Sequence, residues 1–127
     1  MNKPLKNIFT DEEWNEDMSE LETMSQSLND ILFTKRIHPS LVADSKTTTL
    51  PEGKNNPEGL YKWMMKEFGH SPIPKYQFLY EKNGKRISCI RGGVSFGKYE
   101  IFGKHMDDPE RFSTAEEVII RVKELLG

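Results

Sequence analysis

Residues 76–91 read Tyr76-Gln77-Phe78-Leu79-Tyr80-Glu81-Lys82-Asn83-Gly84-Lys85-Arg86-Ile87-Ser88-Cys89-Ile90-Arg91, and their reading decides the fold. Tyr76, Phe78 and Tyr80 alternate with Gln77, Leu79 and Glu81, which is the period of a strand. Asn83-Gly84 follows, and both residues tolerate the positive φ that the two central positions of a type I′ turn require. Arg86 to Arg91 is then the returning strand. A β-hairpin is predicted here.

Downstream of the hairpin, Gly92-Gly93 marks a bulge or turn, and Lys98-Tyr99-Glu100-Ile101-Phe102 before Gly103 reads as a third strand. Asp107-Asp108-Pro109 is a loop. Ser113 or Thr114, with Glu116 and Glu117 three residues on, caps a last helix. Ala115, Val118, Ile119, Val122, Leu125 and Leu126 keep the spacing of a core-facing side. Upstream, Pro57 at a helix start, then Leu60, Trp63, Met64 and Phe68 with a closing Gly69, predict another helix.

Further upstream, Thr10-Asp11-Glu12-Glu13 has the form of a capping box. From there Trp14, Met18, Leu21, Ser25, Leu28 and Leu32 recur at spacings of four and three, one apolar stripe on a helix. Residues 33–56 lack periodicity and carry His38-Pro39, Thr47-Thr48-Thr49 and Pro51-Glu52-Gly53, so they read as a long connector with room for a short strand or helical turn. The expected class is α+β: a three-stranded antiparallel meander packed by flanking helices, with an additional acidic N-terminal amphipathic helix. A single domain over residues 1–127 is expected, divided into the helix at 10–32, the connector at 33–56 and an α-β-β-β-α body at 57–127.

At 127 residues the chain is long enough to bury a core without metal or disulfide support. Cys89 has no partner for an internal disulfide, which fits a reducing compartment, the cytoplasm or a eukaryotic nucleus. No apolar run approaches the roughly 18 residues that a membrane span needs, so no membrane is expected. Met1-Asn2-Lys3-Pro4-Leu5-Lys6 has no apolar run behind its lysines, and no secretory signal is expected.

Charge is unevenly distributed. Residues 1–32 hold eight acids, Asp11, Glu12, Glu13, Glu16, Asp17, Glu20, Glu22 and Asp30, against Lys3 and Lys6. Residues 61–104 hold nine basic residues against three acids, and nine of the 13 aromatic residues fall there too. Basic grooves with stacking rings hold nucleic acid; on a half-buried sheet the same composition is simply an aromatic core with lysines on the wet side.

Nothing in the sequence carries enzyme chemistry, and neither cofactor nor metal is expected. His38, His70 and His105 have no histidine or cysteine at ligand spacing. Cys89 lies mid-strand, away from the helix N-terminus or His partner that would activate it. Gly92-Gly93-Val94-Ser95-Phe96-Gly97 lacks the spacing of a phosphate-binding loop, and no helix follows it. Asp107, Asp108 and Glu110 do not match a calcium loop.

The order α-β-β-β-α from Pro57 to Leu126, with Asn56-Pro57 and Leu60, Pro74-Lys75-Tyr76, Gly84 and Ala115…Leu125-Leu126, resembles the double-stranded-RNA-binding domain. The resemblance covers about 70 residues and implies two helices flanking a three-stranded sheet. That family grips phosphates with a Lys-Lys-x-Ala-Lys run opening its last helix; here the stretch is Ser113-Thr114-Ala115-Glu116-Glu117, which would repel them. Degenerate members of the family bind proteins instead.

The expected function is therefore that of a non-enzymatic binding module acting through protein–protein contact, as an adaptor or small inhibitor of an unknown partner. The candidate contact residues are Asp11, Glu12, Glu13, Glu16, Asp17 and Glu20, with Arg86 and Arg91. The alternative is nucleic-acid binding by the basic aromatic sheet through Lys62, Lys66, Lys75, Lys85, Arg86, Arg91 and Lys98, with the acidic helix as an internal competitor. The Trp14–Leu32 stripe could also serve as a seam for a homodimer.

Overall fold

In the computed structural model, Asn83 (φ 55°) and Gly84 (φ 76°) both have left-handed backbone, as the predicted type I′ turn demands. They join β2 (Tyr76–Lys82) to β3 (Lys85–Arg91) in a register that faces Tyr80 with Ile87 and Phe78 with Cys89. The structure describes residues 18–47, 53–69, 71–91 and 98–127. Among them are four helices, α1 (Ser19–Ser25), α2 (Pro39–Thr47), α3 (Pro57–Phe68) and α4 (Ala115–Leu126), and three further strands, β1 (Leu32–Ile37), β4 (Tyr99–Phe102) and β5 (Glu110–Phe112). All five strands form one antiparallel sheet in the order β1-β2-β3-β4-β5.

The α+β class stands, but the three-stranded meander is replaced by a five-stranded sheet. β1 lies in the expected connector, which also holds α2. Its apolar alternation is interrupted: Phe33 and Ile37 face the helix-covered side together with Lys35, whose ammonium lies 4.1 Å from the Tyr76 ring and 2.9 Å from Glu22. A cation on the inner side hides the strand from a hydrophobic pattern. β5 has only three residues, two of them Glu110 and Arg111.

The helix expected over 10–32 does not run through the described part of that range. Met18 has left-handed backbone (φ 66°), α1 starts after it, and the helix ends at Ser25. Leu28 packs on the core from the following turn, while Leu32 opens β1 and is 60% exposed. The 4-3 spacing was real for Met18, Leu21 and Ser25, which are all buried; Asn29-Asp30 then favours a turn over helix. These three residues are spent inside the protein, so this part of the stripe offers no seam to a second copy. Thr10 to Asp17, with Trp14 and the acids from Asp11 to Asp17, lies outside the described residues.

Alternation along the strands sorts side chains between two faces. Phe78, Tyr80, Ile87, Cys89, Tyr99 and Ile101 lie on one face, all fully or almost fully buried beneath α1 and α4. Val118, Ile119, Val122 and Leu126 of α4 close this core. Burying each such large side chain contributes about 1.5–3 kcal/mol. Thr114 caps α4: its hydroxyl accepts from the Glu117 amide and donates to the Glu117 carboxylate. A second, smaller cluster joins Leu41 of α2 to Leu60 and Met64 of α3, with Ile37, Trp63 and Ile73 beside them. Asn56 caps α3 by accepting from the Gly59 amide, with Pro57 at its first turn and Gly69 (φ 76°) at its end.

Candidate binding face

Among the described residues, the face of the sheet turned away from α1 and α4 carries Leu32, Thr34 and Arg36 of β1, Gln77, Leu79 and Glu81 of β2, and Arg86, Ser88 and Ile90 of β3, with Leu79 only 5% exposed. Glu100 and Phe102 of β4 and Arg111 of β5 complete it. This parity follows from the same alternation that buries Phe78 and Tyr80. A depression of about 510 Å³ occupies its centre, lined among the described residues by Leu79, Ser88 and Phe102 as floor and by Arg36, Lys85, Arg86, Lys104 and His105 as rim. Phe102 is 44% exposed. No acidic side chain is among that lining.

Hydrogen bonds fix part of this surface. Arg36 Nε donates to Gln77 Oε1 (2.7 Å), and Gln77 Nε2 donates to Ser88 Oγ (2.7 Å), a polar chain across three strands. Arg86 Nε meets Glu81 Oε1 at 3.1 Å, and Arg111 Nε meets Glu100 Oε1 at 2.9 Å. Gly103 closes one end of the depression; a Cβ there would stand 2.5 Å from the Arg86 carbonyl oxygen, so only glycine lets the chain pass so close.

The sequence candidates are scattered by the fold. Arg86 and Lys85 line the depression. Arg91, on the opposite face, stacks its guanidinium 4.8 Å from the Tyr99 ring. Lys62 and Lys66 are exposed on α3, and Lys98 is exposed ahead of β4. Lys75 pairs with Glu58 (3.3 Å) and lies over the Tyr61 and Tyr76 rings. Burial pulls the Lys75 ammonium down, but hydrogen bonds to Tyr76 and Glu58 outweigh it and hold the group above its ordinary value. Glu20 is exposed on α1, and Asp11, Glu12, Glu13, Glu16 and Asp17 lie outside the described residues. Arg36, Gln77, Leu79, Ser88 and Phe102 were not singled out by the sequence. Strand parity opposite Phe78 and Tyr80 would have found Gln77, Leu79 and Ser88; Arg36 needed β1.

Among the described residues no three His, Cys, Asp or Glu side chains come together to hold a metal, and no helix is long and apolar enough to cross a membrane. Cys89 is fully buried; burial, then the Glu100 carboxylate, push its thiol well above the usual range. The chain matches no protein-family model, no curated protein and no solved structure.

Proposed function

We propose that this protein is a non-enzymatic binding module working by protein–protein contact, an adaptor or small inhibitor, and that its partner docks an acidic surface on the open sheet face. The supporting observation is the depression over Leu79, Ser88 and Phe102, rimmed by Arg36, Lys85, Arg86 and Lys104 without an acid in its lining. An apolar floor inside a cationic rim suits a protein surface, which can offer an apolar side chain flanked by carboxylates. A single strand held by base stacking would need several rings in succession. Phe78, Tyr80 and Tyr99 are buried on the other face, and the described lining holds two rings, Phe102 and His105.

The experiment is site-specific photo-crosslinking from position 102 in native host cells, with the Arg86→Glu variant in parallel. The proposal expects a protein adduct whose crosslinked peptide is acidic and whose yield falls with Arg86→Glu and with added salt. Adducts confined to RNA or DNA would hand the face to the nucleic-acid reading. Absence of any adduct that depends on Arg86 would end both.

A further inference from the structure

The sheet register gives the basic rim a spacing. Arg36 pairs with Gln77, Thr34 with Leu79, and Glu81 with Arg86. Arg36 on β1, Leu79 on β2 and Arg86 on β3 therefore fall on one straight diagonal, each step crossing one strand and advancing two residues. With a rise of about 3.3 Å per residue and strands about 4.8 Å apart, the two arginines stand roughly 16 Å apart at Cα, with Leu79 midway. That is too far for both guanidiniums to hold one carboxylate or phosphate.

A segment in extended conformation places residues i, i+2 and i+4 on the same side, with i and i+4 about 13 Å apart. Long arginine side chains cover the remaining few ångströms. The diagonal also runs at roughly 35° to the strands, close to the angle of about 30° at which one β layer crosses another. Beside Leu79, the short Ser88 separates it from Phe102, leaving a dip for one apolar side chain.

We infer that this face reads an extended partner segment of the form acid–x–apolar–x–acid: one carboxylate to Arg36, the apolar side chain against the exposed Phe102 ring above the buried Leu79, the other carboxylate to Arg86. This rests on the protein-partner reading above and adds to it the partner's chemistry and spacing. A helical segment fits less well, because acids four apart on a helix are only about 6 Å apart.

The test is an NMR titration of the full chain with three probes: the peptide Gly-Glu-Thr-Leu-Thr-Glu-Gly, its isomer Gly-Glu-Thr-Leu-Glu-Thr-Gly, and poly-glutamate. The isomer has acids three apart, which an extended chain points to opposite sides. The first peptide is expected to shift the amides of Gln77, Leu79, Ser88 and Gly103 and to bind at least about fivefold tighter than the isomer, the upper end for one surface ion pair. Arg36→Glu and Arg86→Glu should each weaken it about two- to fivefold, while Lys62→Glu, the same charge change on α3, should not. Equal binding of the two peptides, or shifts with poly-glutamate alone, would overturn the spacing while leaving an acidic partner in place. No shift at the open face with any of the three would overturn both.

Discussion

The hydroxyls of Ser25 on α1 and Tyr80 on β2 lie 2.7 Å apart inside the core, with both residues almost wholly buried. Ser25 Oγ also donates to the Leu21 carbonyl at 2.7 Å, so it cannot donate to Tyr80 at the same time and the phenol is the donor between them. This contact fastens a short helix, too short to hold itself together, onto the central hairpin. Removing either hydroxyl has unequal consequences. Ser25→Ala strands the buried phenol and should cost about 1–3 kcal/mol, whereas Tyr80→Phe leaves Ser25 bonded to Leu21 and should cost about 0.5–1.5 kcal/mol. Urea unfolding measures both; equal costs would mean that the phenol is not stranded.

Gly84 sits at φ 76° with open space around it, so a substitution there tests backbone conformation and not packing. Gly84→Ala should destabilise by about 1–2 kcal/mol, the cost of placing an L side chain in the left-handed region. Urea midpoints would show it, and an unchanged midpoint would argue against the type I′ geometry.

The two sheet faces should respond differently to truncation. Phe78→Ala should cost about 3–5 kcal/mol through lost burial and a cavity. Phe102→Ser, at a ring that is 44% exposed, should cost only about 1 kcal/mol. Comparable losses at both positions would mean that the open face is covered in the folded chain.

Cys89 should not react with a thiol reagent in the native protein at neutral pH, because burial excludes the reagent and holds the group protonated. Labelling should appear only in denaturant. Stoichiometric labelling of the native chain within minutes would contradict the packing of β3.

His38 introduces a pH dependence. Its Nδ1 accepts from the Ser40 amide at the start of α2, and burial, then Arg36, lower its pKa. The folded value lies below the unfolded value of about 6.5, so the unfolded chain takes up the proton first. The contribution is full above that value and fades as pH falls through the folded one. The thermal midpoint should drop from pH 7.5 to pH 5, and His38→Asn, which keeps a cap acceptor without titrating, should show a smaller drop.

Local chemistry wrote much of this structure into the sequence. Asn83-Gly84 requires its turn, Asn56-Pro57 and Thr114…Glu117 cap their helices, and the period-two pattern from Tyr76 to Tyr80 makes a strand wherever it is placed. Those signals act within a few residues, so they need no tertiary partner.

What only the tertiary structure decided is which side of each pattern is buried and what lies beside it. β1 exists as a strand because β2 offers a free edge and Glu22 and Tyr76 accept its inward Lys35; its own residues do not alternate cleanly. Past Ser25 the Trp14–Leu32 periodicity no longer describes one helix, because α1 is fastened to Tyr80 and Leu32–Ile37 pair with β2. The candidate binding face is the extreme case: Arg36, Leu79 and Arg86 are 43 and seven residues apart in sequence. They fall on one line only because strand register, a long-range property, sets them there.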